Sequence, residues 1–220
     1  MSSTKTKRNF YDLFKTDRPV LNVKFSVSSD ELATEVEIEN KLEKQTDLKG
    51  LATLEKICSD SRLKDFLDFY SEYNGFSLGT ALSPKQSLKK PLLRQLPLSD
   101  LTKFTELYLP NGKWAWTIDL NKTKALYRGN QKWLAFAEVD NGPTCLTIFL
   151  DGENAGSVFL LNPQPHFNIL KPIAKSYSQL LDRIAKDPAT FFKLTKAYVT
   201  IVGKDKQNYG HVPTEYIDTK

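Results

Sequence analysis

Apolar residues recur along this chain with two periods, and the change from one to the other organises the sequence. "VLNVKFSV" (residues 20–27) alternates apolar and polar positions and predicts a short strand. "DELATEVEIENKLEKQ" (30–45) sets Leu32, Val36 and Leu42 among acids and predicts a surface helix. Residues 48–57 predict a second helix. In "SDSRLKDFLDFYSEYNG", Leu63, Phe66, Leu67, Tyr70 and Asn74 follow the three-four spacing of one helical face. Ser59, Asp60 and Ser61 offer N-capping oxygens there, and Asn74-Gly75 offers a left-handed stop. Residues 83–100 carry Pro84, Pro91 and Pro97 and read as a loop, with a further helical pass in "SDLTKFTELY" before Pro110-Asn111-Gly112.

From Trp114 the texture is that of strands. "KWAWTIDL", "KWLAFAEV", "TCLTIFLD" and "GSVFLLN" are short runs of aromatic, β-branched and threonine residues. "DNGP" and "GENAG" separate the last three, and such turns between strand-like runs imply an antiparallel meander. The helical period returns at Pro172, with Ile173, Tyr177, Leu180, Leu181 and Ile184 on one face. Asp187-Pro188 opens another short helix, and "YVTIV" (198–202) predicts a final strand. The class is α+β: one domain, an antiparallel meander sheet covered by helices from the N-terminal half and the C-terminal region.

Composition narrows this picture. The chain has 220 residues, 40% of them hydrophobic, which is enough for a substantial core. No run approaches the roughly 18 apolar residues of a membrane span, and the first residues lack the apolar stretch of a secretory signal. Cys58 and Cys145 lie far apart in apolar company and read as two buried thiols of a cytoplasmic protein. The net charge of +5 is uneven: residues 30–47 hold seven acids and two lysines, so the remainder carries +10. Its lysines are scattered and form no basic stripe interleaved with aromatics, which argues against nucleic acid as a partner.

The residue types that carry chemistry do not assemble into a known pattern. His166 and His211 have no Cys, Asp or Glu at ligand spacing, so neither a metal nor a catalytic site is assigned. No glycine-rich loop follows a strand and opens a helix, and no cofactor is expected. Cys145 sits inside an apolar strand, where a thiol is inert, and no G-x-S-x-G elbow occurs. Glu138 with Asp140, and Asp151 with Glu153, end consecutive strands and fall at opposite ends of an antiparallel sheet, too far apart to cooperate. Trp114 and Trp116, two apart on a strand, would share a face, either as a binding platform or, with Trp133, as core between sheet and helices.

The order of these motifs resembles the SUKH superfamily, which contains fungal Smi-type regulators of cell-wall synthesis and bacterial toxin-immunity proteins. The resemblance rests on Phe66, Leu67, Tyr73, Asn74 and Gly75 of the aromatic helix and its stop. It continues through Trp133, Phe136, Asp140, Gly142, Gly156 and Val158 of the strands, and Tyr177 and Leu181 of the closing helix. It is strongest over residues 60–186 of a domain spanning 25–220, with residues 1–24 as a polar extension. The Leu-Pro that usually precedes the aromatic helix is missing, and the stretch between Gly79 and Trp133 is longer than in compact members.

The resemblance implies a non-enzymatic protein-binding domain, foremost an immunity protein whose partner is a toxin domain. An interaction scaffold like the fungal regulators is the alternative, and a hydrolase a third reading that needs His166 or His211 beside an acid. Partner contact is expected at the polar turn "DGENAG", through Asp151, Glu153 and Asn154, with Tyr127 and Arg128 adding contact area. The bland reading of that turn is a solvated hairpin.

Overall fold

The computed structural model describes residues 9–15, 20–23, 34–81, 91–119, 124–139, 143–161 and 171–186, with the backbone alone at 20–23, 34–38, 81 and 119. The expectations for residues 24–27, Asp140, Gly142, His166, Asp187-Pro188, residues 198–202 and His211 lie outside the described residues. The chain is α+β, and its strands form one antiparallel meander in the order β1 to β7.

The meander starts earlier than expected. β1 (Val20–Val23) pairs with β2 (Thr34–Lys44), which replaces the helix expected over residues 30–45. The reason is legible afterwards: Val36, Ile38, Asn40 and Leu42 alternate with Glu35, Glu37, Glu39, Lys41 and Glu43. That period of two runs longer than the three apolar residues that fit a helix, and branched Val36 and Ile38 favour a strand. β2 then pairs with β3 (Tyr73–Ala81), and the register slips twice because β3 carries an extra residue at each slip. Gly75 and Gly79 sit at those bulges with φ of 117° and 72°. Asn74-Gly75 therefore belongs to a strand and does not cap the aromatic helix, whose last cap residue, Tyr73, is already extended.

Two helices separate β2 from β3. α1 (Leu48–Ile57) starts where the Asp47 side chain accepts from the Gly50 amide at 2.8 Å. α2 (Lys64–Glu72) follows a 3-10 turn capped by Asp60 and buries Phe66, Phe69 and Tyr70. β4 (Leu93–Gln95) runs through the stretch expected to be loop, pairing with β3 and β5, and α3 (Leu98–Glu106) follows it. Three residues between prolines show no period, so only pairing on both sides makes β4 a strand. "KWAWTIDL" is not a strand either. It contains the short helix α4 (Trp116–Asp119), so Trp114 and Trp116 share no strand face. Trp114 packs on Phe104 and Tyr108, whereas Trp116 is exposed.

After α5 (Lys124–Tyr127) come β5 (Trp133–Val139), β6 (Cys145–Phe149) and β7 (Val158–Leu161), as the apolar runs predict. α6 (Tyr177–Lys186) begins five residues after Pro172, because the backbones of Ile173 and Ala174 bond to edge strand β7 at Val158 first. Asp65 of α2 then accepts from the Ser178 amide at 2.6 Å, tying the start of α6 to α2.

One face of the sheet is filled by α2, α6 and the N-terminal 3-10 turn Phe10–Phe14. Phe66 meets Phe136 and Tyr177, and Phe10 and Phe69 meet Phe76. Residues 1–24, read as a polar extension, thus contribute Phe10 and Leu13 to the core and β1 to the sheet. The other face is covered over β5 and β6 by α3 and α5. The Thr105 hydroxyl accepts from the Ala135 amide at 3.0 Å, and the Tyr127 and Thr147 hydroxyls bond at 2.7 Å. A bulge at Phe136 in β5 is what lets Phe136 face α2 while Glu138, two residues on, faces the other way beside Arg94.

Candidate partner-binding surface

The turn between β6 and β7 is built from its own backbone and from two other parts of the chain. Ala155 donates to Gly152, Gly156 to Phe149 and Ser157 to Asn154, which closes the loop on itself. The Asp151 carboxylate accepts from the Lys132 amide at 2.7 Å, and Asn154 donates to the Gln131 side chain at 3.3 Å. From residues 60–62 the Arg62 guanidinium donates to the carbonyls of Gly152 (2.8 Å) and Glu153 (3.2 Å). Asp60 holds that guanidinium through both carboxylate oxygens, at 2.9 and 2.7 Å. These hydrogen bonds from Arg62 hold the Asp60 carboxyl down at about 2.

The five residues expected to touch a partner separate into two groups. Asp151, Glu153 and Asn154 are together on the turn, but of the three only Glu153 is exposed; Asp151 and Asn154 are half-buried and make the bonds just given. Tyr127 and Arg128 are engaged within the fold. Tyr127 is 4% exposed, packed edge-on against Trp133 and bonded to Thr147. Arg128 is half-buried and donates to the carbonyls of Tyr108 and Ala115, so it ties α5 to the α3–α4 connection. A tyrosine-arginine pair before a strand carries no sequence signal separating these roles. Arg62 and Asp60 are the residues that sequence reasoning missed. Asp60 reads locally as a capping residue, which it also is, and its second role acts through Arg62, whose carbonyl partner Gly152 is 90 positions along the chain.

Clefts among the described residues lie elsewhere on the molecule as well. The face of β2 to β5 opposite α2 holds a depression of about 370 Å³, lined by Glu39, Lys41, Glu43, Ser77, Arg94 and Glu138 among others. Its charges pair within the face, Lys41 with Glu39 at 2.9 Å and Arg94 with Glu138 at 3.5 Å. A second cleft of about 270 Å³, between the N-terminal turn, α2 and α6, is lined by Asp65, Asp68, Glu72 and Asp182 beside Tyr11. Burial and the nearby Glu72 raise the Tyr11 pKa. A third, of about 240 Å³, runs between α1 and α3 over Leu54, Leu98, Leu101 and Leu134.

Both thiols of the chain are turned inward. Cys58 and Cys145 are buried free thiols, and burial pushes both up to about 12, so they stay protonated at neutral pH. Burial likewise raises the phenols of Tyr70, Tyr108, Tyr127 and Tyr177. Glu138 pairs with Cys145 in the sheet register, whereas Asp151 lies beyond the Trp133–Phe149 pair at the other end of β5 and β6, so the two acidic ends do not meet. Among the described residues no group of three or more His, Cys, Asp or Glu is placed to hold a metal ion. No helix among them is long and apolar enough to cross a membrane. Comparison with protein-family models and with curated proteins returned no match for this chain.

Proposed function

We propose that this chain is a non-enzymatic protein-binding domain and, in keeping with its resemblance to the SUKH superfamily, a cytoplasmic immunity protein that binds a toxin domain and occludes its active site. The observation that carries the reading is the β6–β7 turn, a polar loop held by bonds from residues 60–62 and 131–132 while the Glu153 carboxylate stays in solvent. A partner meets such a turn with little ordering entropy left to lose, and a carboxylate on it pairs with a cationic side chain across the interface.

Co-expression with a toxin domain, taken from a toxin gene found beside this one, tests the reading. Protected growth is the expected outcome, and killing that continues while this protein accumulates in folded form overturns it.

A further inference from the structure

We infer that Arg62 is a positioning residue for the β6–β7 turn, and that the partner-facing surface is a composite of residues 60–62, 131–132 and 152–154. The inference rests on the reading of the turn as a contact, and deepens it by naming what sets its shape. Arg62 spends its guanidinium on four bonds: two to Asp60 and one each to the Gly152 and Glu153 carbonyls. The two carbonyls belong to consecutive peptide units, so one planar group fixes the orientation of both. The backbone approaches as closely as the side chain. A methyl group on Gly156 would sit 2.6 Å from the Arg62 carbonyl oxygen, so the turn lies directly on residue 62.

Asp60 completes the device. A free arginine side chain samples many rotamers, and ordering it for two carbonyl bonds alone is costly. The carboxylate of Asp60 holds the Nε–Nη2 edge of the guanidinium while the adjacent Nη2–Nη1 edge faces the turn, and the Asp60 Oδ1 that accepts from Arg62 Nε also accepts from the Arg62 amide at 3.0 Å. Carboxylate, guanidinium and turn therefore form a chain of charge-assisted bonds that ends at the peptide preceding Asn154. With half of the Arg62 side chain in solvent and Glu153 exposed, a partner that reaches Glu153 also meets Arg62. The surface fits a partner presenting a cation to Glu153 beside an acceptor for the remaining Nη1 N–H of Arg62.

Amide hydrogen exchange on the full chain, for wild type, Arg62→Ala, Arg62→Lys and Asp60→Asn, tests the positioning role. Arg62→Ala is expected to speed exchange of the Ala155, Gly156 and Ser157 amides at least about tenfold, with the strand amides of β6 and β7 unchanged and a thermal midpoint within about 4 °C of wild type. Arg62→Lys is expected to restore little, because an ammonium cannot span two carbonyls and a bidentate carboxylate. Unchanged exchange in the turn, or full rescue by lysine, overturns the positioning role. A second arm measures binding to the purified toxin domain encoded beside this gene. If wild type binds, Arg62→Ala is expected to weaken it at least about tenfold, and equal affinity with a loosened turn overturns the composite surface. If wild type does not bind, the immunity reading falls while the exchange arm still decides the role of Arg62.

Discussion

The Tyr177 hydroxyl donates to Oε1 of Gln95 at 2.7 Å, joining the first residue of α6 to the last residue of β4 across 82 positions, with both side chains buried. Gln95 is a polar residue on the core face of a central strand, and its Nε2 has no partner among the described residues. The bond satisfies half of an amide that the fold has already desolvated, and its worth lies in what its loss would expose.

Tyr177→Phe is therefore expected to destabilise the protein by about 1–3 kcal/mol, since it leaves the buried Gln95 oxygen unpaired. Gln95→Leu has a comparable cost through the orphaned tyrosine hydroxyl. The double variant should lose less than the two singles added together, by about 0.5–3 kcal/mol, in a denaturant-unfolding cycle. Strict additivity would show that the two groups do not depend on each other.

A second prediction concerns the bulge in β3. Asn40 accepts from the Gly79 amide at 2.9 Å and donates to the Leu13 carbonyl at 3.0 Å, so one side chain serves the bulge and the N-terminal turn together. Gly79→Ala puts a side chain at a φ of 72° and 2.8 Å from the Leu92 side chain. It should cost about 1–3 kcal/mol of unfolding free energy. Asn40→Ala should, in addition, speed amide exchange in residues 10–15. Protection there equal to wild type would refute the link.

The acids of the β6–β7 turn are not equivalent. Asp151→Ala removes the acceptor for the Lys132 amide and should lower stability by about 1 kcal/mol. Glu153→Lys changes a solvated side chain and should stay within about 0.5 kcal/mol of wild type. Glu153→Lys is thus the variant for probing partner contact, and Asp151→Ala reports on folding as well. Equal thermal shifts for the two would contradict this division.

Thiol chemistry gives a prediction with a pH sign. Burial raises Cys58 and Cys145 from 9.0 to about 12, which favours the protonated thiol in the folded state. Only the thiolate attacks a disulfide reagent, so at pH 8 the native protein should react far more slowly than the same protein in denaturant, where both thiols react. The thiolate fraction of the native thiols grows as pH rises toward 12, so the difference from the denatured protein should narrow with pH. Rapid labelling of either cysteine in the folded protein at pH 8 would show an opening that exposes it.

Elements whose signal is local and long enough to be periodic are legible in the residues alone. α1, α2 and the strands β5 to β7 follow from apolar spacing and turn residues, because a helix or strand with one buried side writes its period into consecutive positions. β2 shows the limit: its acids and apolar residues admit two periods, and pairing with β1 and β3 decides between them. β4 has no period to read, and Trp114 and Trp116 look like strand residues until the contacts of Trp114 with Phe104 and Tyr108 place that segment over α3. The candidate surface divides in the same way. That "DGENAG" is a polar turn is local chemistry, but the clamp of Arg62 on it, the burial of Tyr127 and the inward bonds of Arg128 arise between segments far apart in the chain. Such contacts leave no trace in neighbouring residues, since hydrogen bonding and exclusion of water act on distance in space, and only the folded chain sets that distance.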